Sequence, residues 1–369
     1  MSAPTRLIIA GIGLVGERHA EAIHHLKKVE LAGIVDPSDA GRRYAADRDL
    51  PWFGSLSEMF ANEKPDGVLL ATPNPLHVEQ GLECVAEGCP TLVEKPLATS
   101  TAEARVLVDA AGEAKVQLLV GHHRRHNPLI QKAREVIDAG EIGRIRVVHS
   151  NCWFYKPDYY FDEAPWRKLK GAGPISVNLV HDVDLIRYLC GEVISVQAQA
   201  APSTRGFENE DVAAAVLRFE NGAIGTITVS DSVVSPWSWE LTAREYPIYP
   251  PTSQSCLLLG GTHGSLSVPD LTLWSNKGKR DWSNPISATT LPREVSNPLV
   301  NQIAQFAAVI AGKEEPLVSG SEGLKTLQVI EAIQRAAKSG EPVVINGRPI
   351  PADTDPAAAL NNPNRVATN

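Results

Sequence analysis

Two side chains in this sequence stand where they could move protons. Lys95 follows a short apolar run, a predicted strand, and is succeeded by Pro96. His181 lies in a helical pattern that comes after a glycine-rich stretch. An ammonium at the carboxyl end of a strand can hydrogen-bond a hydroxyl, stabilise the developing alkoxide and relay its proton. Taken alone, the lysine motif fits a surface loop equally well, and a lone helical histidine is more often structural.

A glycine-rich segment, Gly11–Gly16, follows the first predicted strand and opens the first predicted helix. Its spacing permits a tight turn and close approach to a pyrophosphate, which the positive helix N-terminus then holds. Asp36, twenty positions after Gly16, can accept hydrogen bonds from a ribose 2′-hydroxyl and repels a 2′-phosphate. The pattern predicts NAD as the cofactor, and Arg42 and Arg43 leave NADP as the less favoured choice. The residues expected to contact the cofactor here are Gly11, Gly13, Leu14, Val15, Gly16 and Asp36.

Polar residues also end the next two predicted strands. Thr72 and Asn74 follow the third strand, and Glu94 and Lys95 follow the fourth. Because ligands of open parallel sheets bind outside the carboxyl ends of the strands, these side chains are expected to contact the cofactor. His77 is placed with them as a cofactor contact, although its position alone fits the first turn of a helix better than a catalyst.

Composition narrows the functional class. The chain has 369 residues, of which 43% are apolar and 21% charged, and its formal net charge is −8. A nucleic-acid partner is not expected, because phosphate binding needs a concentrated basic face and the basic cluster His122–His126 is short. No apolar run approaches the ~20 residues that cross a bilayer, and no secretion signal is expected. Five scattered cysteines without a Cys-x-x-Cys pair fit reduced thiols, so we expect a cytoplasmic protein without a metal site.

Roughly the first 120 residues alternate short apolar runs with helical periodicity, the pattern of parallel βαβ units. The apolar runs do not alternate in polarity, which indicates strands covered on both faces. The fold class predicted here is a Rossmann domain with a doubly wound parallel sheet. Strands are expected at Arg6–Ala10, Leu31–Val35, Gly67–Ala71, Thr91–Val93 and Gln117–Val120, and helices at Gly16–Lys28, Ala40–Arg48, Leu76–Glu87 and Thr101–Gly112.

After Gly121 the apolar residues alternate with polar ones, as in strands with one wet face. The pair Asn221-Gly222 between two such runs is a strong hairpin signal. This part predicts a C-terminal α+β domain with a large open, mostly antiparallel sheet. The expected division is residues 1–124 for the NAD-binding domain, 125–350 for a substrate-binding and oligomerisation domain, and 351–369 for an extended tail. Helices are expected at Pro128–Ala139, Ser176–Leu189, Pro298–Ala311 and Ser321–Ala337.

These motifs, at these spacings, resemble the glucose–fructose oxidoreductase/inositol dehydrogenase (Gfo/Idh/MocA) family. The resemblance covers nearly the whole chain. It implies NAD(P)-dependent transfer of a hydride between nicotinamide and a hydroxyl of a sugar, polyol, inositol or related cyclic hydroxy compound. It also implies that Lys95 and His181 form the acid–base pair and that Arg124 lies near cofactor or substrate. The segments that carry it are Gly11–Gly16, Ala71–His77, Glu94–Leu97 and Gly171–Leu189.

One position departs from the family pattern. Many members carry an aspartate four residues before the histidine, where this sequence has Val177. Asn178 lies three residues before His181, and therefore on the same face if the helix is continuous. An amide there can orient the imidazole or a substrate hydroxyl, but it cannot ionise.

An irregular aromatic stretch at residues 153–166 is expected to roof the substrate site. Aromatic faces pack against the C–H surface of a sugar and exclude water, although the same rings fit anchors of an irregular loop equally well. The expected substrate contacts are Arg124, Tyr155, Trp166, Asn178 and His181.

Three activities compete on the sequence alone. The first is a dehydrogenase that releases NADH. The second is a glycosidase or lyase that retains NAD and oxidises its substrate transiently. The third is a non-catalytic dinucleotide-binding protein, which intact Lys95 and His181 disfavour. The expected partners are a small-molecule hydroxy substrate and, because large exposed apolar surfaces are rare on monomers, further copies of the chain in a homodimer or homotetramer built through Val193–Val268.

Overall fold

The computed structural model describes residues 3–345, so the tail predicted for 351–369 lies outside the described residues. The first sheet has six strands: β1 Thr5–Ala10, β2 Val29–Val35, β3 Trp52–Phe53, β4 Gly67–Leu70, β5 Thr91–Val93 and β6 Leu118–Val120. All of its pairings are parallel, and the order is β3-β2-β1-β4-β5-β6. The strand order reverses between β1 and β4, which is where open parallel sheets bind their ligands.

The helices that alternate with these strands along the chain are α1 Leu14–His24, α2 Asp39–Ala46, α3 Leu56–Asn62, α4 His77–Ala86 and α5 Thr101–Ala114. Ser38, Ser55 and Ser100 cap α2, α3 and α5, each hydroxyl accepting a backbone amide of the first turn. By contrast, the N-cap of α1 is Gly13, which has no side chain to cap the helix. The first backbone amides of α1, beside the predicted dinucleotide turn, are therefore free to bind a ligand.

The second sheet has nine strands and is mixed. They are β7 Ile145–Trp153, β8 Val193–Pro202, β9 Glu210–Phe219, β10 Ile224–Ser230, β11 Leu257–Gly261, β12 Gly264–Val268, β13 Thr272–Asn276, β14 Ile286–Thr290 and β15 Val343–Val344. The order is β14-β13-β12-β11-β7-β10-β9-β8-β15, with β7 and β10 parallel and the other pairs antiparallel. The hairpin predicted at Asn221-Gly222 is confirmed, and Gly222 has φ +82°.

The helices of the second region are α6 Pro128–Asp138, α7 Asp158–Asp162, α8 Pro174–Val177, α9 Leu179–Cys190, α10 Trp239–Thr242, α11 Pro298–Ile310 and α12 Gly320–Ser339. One face of the large sheet shares a core with α6, α9 and α12. On the other face, alternate residues including Val147, Val216, Ile224 and Leu258 are exposed. The fold class predicted from the sequence is confirmed.

Helix α11 lies in the segment predicted for the second domain, but it packs on the first sheet. Leu299, Ile303 and Phe306 share one core with Leu7 of β1 and Leu69 of β4. A part of the chain that comes late in sequence therefore completes the core of the first domain.

The sequence analysis missed β3 and α3, which are two and seven residues long and too short to give a periodic pattern. The helix expected at Ser176–Leu189 is interrupted at Asn178, which has φ −102° and ψ −52° and lies between the end of α8 at Val177 and the start of α9 at Leu179. All five cysteines are free and buried, as expected. Within residues 3–345, no helix is long and apolar enough to cross a membrane.

Candidate active site

The turn between β1 and α1 is shaped for close approach of a ligand. Gly11 has φ +85°, and a Cβ there would lie 2.7 Å from the carbonyl oxygen of Ala71. A Cβ at Gly16 would lie 2.0 Å from the carbonyl oxygen of Gly11. Gly13 faces open space at the uncapped start of α1, and Leu14 and Val15 are exposed beside it. This cradle fits a pyrophosphate, which would bind the free amides of α1.

Asp36 follows β2 and is tied to the same turn. Its Oδ2 accepts the amide of Ile12 at 2.9 Å, and its Oδ1 accepts the amide of Ser38 at 2.9 Å and the Ser38 hydroxyl at 2.5 Å. Burial works to raise the pKa of this carboxyl, but the hydrogen bonds outweigh it and keep the pKa below its ordinary value. A fixed negative charge therefore stands beside the dinucleotide turn.

The loop that carries Lys95 is pinned by backbone contacts to His77. The ring of His77 is buried, with Nδ1 2.8 Å from the carbonyl oxygen of Pro96 and Nε2 2.9 Å from that of Thr72. Both ring nitrogens thus face carbonyl oxygens of the loops that follow β4 and β5, and a neutral imidazole donates a hydrogen bond to one of the two. We therefore interpret His77 as a residue that positions these loops, and its contact with the cofactor stays a prediction.

Thr72 and Asn74 both lie at the carboxyl end of β4. The hydroxyl of Thr72 donates to Oε1 of Gln80 at 2.6 Å. Asn74 is exposed and starts the short 3₁₀ helix Asn74–Leu76. Their contact with cofactor stays a prediction.

Glu94 is buried and joins α1 to the lysine loop. Its Oε1 lies 2.7 Å from Nε2 of His19, and its Oε2 accepts the amide of Lys95 at 3.0 Å. Burial opposes ionisation, but His19 and Lys95 bring the pKa of Glu94 down to about 2. The ammonium of Lys95 itself has a lowered pKa, because burial and the nearby cation Arg124 outweigh the attraction of Glu94.

His181 lies in the first turn of α9 and is only 8% exposed. Its ring centroid is 5.6 Å from that of His123 and 6.4 Å from that of His122. Its Nδ1 is buried and has no hydrogen-bond partner among residues 3–345. Burial, followed by the charges of Arg124 and Lys95, holds the pKa of His181 well below its ordinary value. The structure therefore brings a neutral imidazole into the electrostatic reach of Lys95.

The side chain of Asn178 does not orient the imidazole, contrary to the expectation from sequence. Its Oδ1 accepts a hydrogen bond from Nζ of Lys156 at 2.7 Å. Asn178 keeps right-handed helical backbone angles, so the difference comes from its side-chain partner: the Lys156 ammonium takes up the amide oxygen that was expected to face the imidazole. Asn178 reaches His181 only through the backbone, where its carbonyl oxygen accepts the His181 amide at 3.1 Å.

Arg124 is buried beside His181 but faces carboxylates of the second domain. Its Nη2 donates to Oε1 of Glu240 at 2.7 Å, and its Nη1 lies 3.6 Å from Oδ2 of Asp182. Burial raises the pKa of Asp182 to about 7, although Arg124 opposes this shift. Arg124 thus acts on His181 through its charge, and direct contact with cofactor or substrate stays a prediction.

The two aromatic residues predicted to roof the site are exposed. Tyr155 is 44% and Trp166 54% accessible. Arg205 lies 5.8 Å from the ring centroid of Tyr155, and Arg167 lies 5.8 Å from a ring centroid of Trp166. Both rings therefore have exposed surface against which a substrate can pack. Contact of Tyr155 and Trp166 with the substrate stays a prediction.

The sequence analysis overlooked His19 and Lys156. His19 shares the buried face of α1 with Ala20 and Ile23, so a polar residue on an apolar helix face was the signal available. Lys156 follows β7 in an irregular segment, where no periodicity indicates that a lysine is buried.

A doubly wound parallel sheet with a dinucleotide cradle, joined to a mixed-sheet domain that carries a buried histidine within electrostatic reach of Lys95, is the arrangement of an NAD-binding oxidoreductase. Residues 5–122 match the family model described as oxidoreductase family, NAD-binding Rossmann fold, and residues 130–267 match the Gfo/Idh/MocA C-terminal domain. The chain belongs to the Gfo/Idh/MocA family, and it is an NAD-dependent oxidoreductase.

Individual relatives agree with this assignment. The chain is 34% identical to the rhizopine catabolism protein MocA of Rhizobium meliloti, over 51% of this chain and 57% of that protein. It is 26% identical to scyllo-inositol 2-dehydrogenase (NAD(+)) of Bacillus subtilis, over 94% of this chain and 98% of that protein. It is also similar to the WlbA dehydrogenase of Bordetella pertussis, solved in complex with NADH and UDP-GlcNAcA. That match has 29% identity and a TM-score of 0.74, and it covers 95% of this chain and 100% of that one.

Proposed function

We propose that this protein transfers a hydride between NAD and a hydroxyl of a sugar, polyol, inositol or related cyclic hydroxy compound, and that it releases NADH. The observation that carries the proposal is that Lys95 of the first domain acts electrostatically on the buried His181 of the second and helps to keep its imidazole neutral. The inositol dehydrogenase and sugar-nucleotide dehydrogenase among its relatives support the substrate class.

When bound, NAD supplies the nicotinamide ring that takes up the hydride from the substrate carbon. The ammonium of Lys95 donates a hydrogen bond to the substrate oxygen and stabilises the negative charge that develops there. The imidazole of His181 accepts the hydroxyl proton, which it can do because its low pKa keeps it neutral. Asp36 would hold the ribose of the cofactor, and the Gly11–Gly16 turn would hold its pyrophosphate.

The charges around His181 favour this division of roles. Arg124, Lys95, His123 and His122 all act to lower its pKa. The position of the usual family aspartate is Val177, so that carboxylate is missing as a counter-ion. A positive potential of this kind keeps the imidazole neutral and stabilises an alkoxide in the transition state, and it also makes His181 a weaker base, so the proton that His181 accepts must pass on readily.

The test is a screen of sugars, inositols, sugar acids and cyclic diols for NADH formation with the purified enzyme, using Lys95→Met as the blank. We expect one compound class to give many equivalents of NADH per enzyme. NADH formation that stops at one equivalent per enzyme would indicate an enzyme that retains its cofactor, as in the glycosidase and lyase alternative. A panel that gives no NADH at all would contradict the proposal.

We also propose that the protein is a homodimer or homotetramer built on the exposed face of the second sheet. Val147, Val216, Ile224 and Leu258 present apolar surface there, which monomers rarely leave uncovered. Val216→Glu should lower the mass measured by light scattering. Val106→Glu is the control, because Val106 is similarly exposed on α5 of the first domain. A monomeric mass for the unmodified protein would refute the assembly.

A further inference from the structure

Lys156 is a buried cation that the proposed mechanism does not use. It lies just beyond β7, with its Nζ 2.7 Å from Oδ1 of Asn178 and 3.6 Å from Oδ2 of Asp231. We propose that Lys156 is a positioning residue for the reaction, which fixes the helix break that sets His181 in place and acts through its charge on Lys95. This inference rests on the proposed function, since it assigns a role within the same cleft.

The mechanical part concerns the start of the helix that carries His181. No side chain caps α9, so the direction of Asn178 is not set by the usual bond to an amide of the first turn. Its side chain is instead held by Lys156, while its carbonyl oxygen accepts the His181 amide. A shift of Asn178 would therefore move the first turn of α9 and, with it, the imidazole.

Lys156 is held firmly enough to serve as such an anchor. Nη2 of Arg205 donates to the carbonyl oxygen of Lys156 at 2.9 Å, and Nη1 of Arg205 donates to Oδ1 of Asp231 at 3.0 Å. The ammonium also lies 5.1 Å from the ring centroid of Tyr160. Removing the Lys156 ammonium leaves Asp231 paired with Arg205, so the variant does not strand an unpaired buried carboxylate.

The electrostatic part concerns Lys95. Arg124 and Lys156 both disfavour a charge on Lys95, and burial reinforces them. The charge of Arg124 is balanced by Glu240, whose Oε1 lies 2.7 Å from the guanidinium. The charge of Lys156 is balanced less closely, because Asp231 lies 3.6 Å from its ammonium and also pairs with Arg205. Without Lys156, the ammonium of Lys95 should persist to higher pH. The charged and titratable groups that interact with Lys95 are Glu94, Arg124, Lys156, Glu240, His77, His122 and His181.

The first experiment follows the reactivity of Lys95 itself. The unmodified protein, Lys156→Met and Lys156→Arg are labelled with acetic anhydride across a pH series, and modification of Lys95 is measured by mass spectrometry. We expect the midpoint to move to higher pH in Lys156→Met and to stay in place in Lys156→Arg. An unchanged midpoint in a folded Lys156→Met would overturn the electrostatic role. Because no substrate is needed, this result is independent of whether the proposed function is correct.

The second experiment separates contact from charge with Asn178→Ala, which keeps the Lys156 ammonium. With a substrate from the screen, we expect Asn178→Ala and Lys156→Met each to lower kcat by about 10–100-fold, with a smaller change in KM, because the reacting group is misplaced. Asn178→Ala should leave the labelling midpoint of Lys95 unchanged. A kcat within twofold of the unmodified enzyme in Asn178→Ala would overturn the positioning role, even if Lys156→Met failed to fold.

Discussion

The two domains hold their reactive side chains in different ways. Lys95 sits in a loop fixed by contacts within the first domain, through His77 to backbone carbonyls and through Glu94 to His19. His181 sits on a helix held by charges from distant parts of the chain. On that helix, the carboxylate of Asp184 accepts hydrogen bonds from Nε and Nη2 of Arg125. Arg125 also donates a hydrogen bond to Glu322 of α12.

This difference separates two tasks that a hydride-transfer site must combine. The first domain fixes the position of one donor relative to the cofactor turn. The second domain uses paired charges to fix a helix, and the histidine on that helix has an Nδ1 without a hydrogen-bond partner among residues 3–345 and a pKa lowered by neighbouring cations. The first arrangement depends on geometry and the second on the local electrostatic potential, so substitutions should affect them differently.

The largest effect is expected from Lys95→Met. If the ammonium stabilises the developing alkoxide, its loss should lower kcat by about 10²–10⁴, the scale of one acid–base or oxyanion-stabilising group. NAD affinity, measured by titration of protein fluorescence, should change little because the Gly11–Gly16 turn and Asp36 remain. A kcat within threefold of the unmodified enzyme would rule out this role for Lys95.

Arg125→Met tests whether charges fix the second-domain helix. The side chains of Arg125 and Asp184 are 2% and 1% exposed, and breaking such a pair should lower the free energy of unfolding by about 3–5 kcal/mol. Lys132→Met removes the exposed pair with Glu135 on α6 and should cost about 0.5 kcal/mol or less. Denaturant unfolding of both variants makes the comparison. If both variants lost the same free energy of unfolding, the buried Arg125 network would contribute no more to stability than an exposed ion pair.

The pH profile of kcat/KM tests the missing counter-ion. A base titrates as pH falls through its pKa, so activity should persist below pH 6.5 and decline only where the lowered pKa of His181 is reached. Val177→Asp would add a carboxylate, raise that pKa and move the acid limb to higher pH. Val177→Asn, of similar size and uncharged, is the control. Identical acid limbs in both variants would show that the carboxylate does not act on His181.

The smallest effect expected concerns the cofactor. Because Asp36 meets a 2′-phosphate with like charge, NAD should be preferred over NADP by at least about tenfold in kcat/KM, or ~1.4 kcal/mol. Asp36→Ser should narrow the preference. Asp36→Asn is a useful comparison, since it removes the charge but keeps one oxygen to accept the Ile12 amide. Equal efficiency with both cofactors in the unmodified enzyme would contradict the assignment.

The first domain was predictable because its signals are local. Strand, turn and helix follow one another around Gly11–Gly16, and both the fold class and the NAD cofactor are confirmed. The partners of individual side chains were not predictable, because they come from elsewhere in the chain. Asn178 is the clearest case: its i,i+3 spacing pointed to His181, but Lys156, 22 residues earlier, takes its side chain. An aspartate at 178 would therefore pair with Lys156 and not with the imidazole.

The position of α11 also has a consequence for biosynthesis. A nascent chain that has emerged only to residue 124 contains all six strands of the first sheet, but it lacks Leu299, Ile303 and Phe306, which share a core with Leu7 and Leu69. The apolar surface around Leu7 and Leu69 therefore stays uncovered until about 180 further residues have been synthesised. Domains, by contrast, generally fold as units from the N-terminus during synthesis. The cofactor-binding half should therefore depend on chaperones, or on a late docking step, until the second half has left the ribosome.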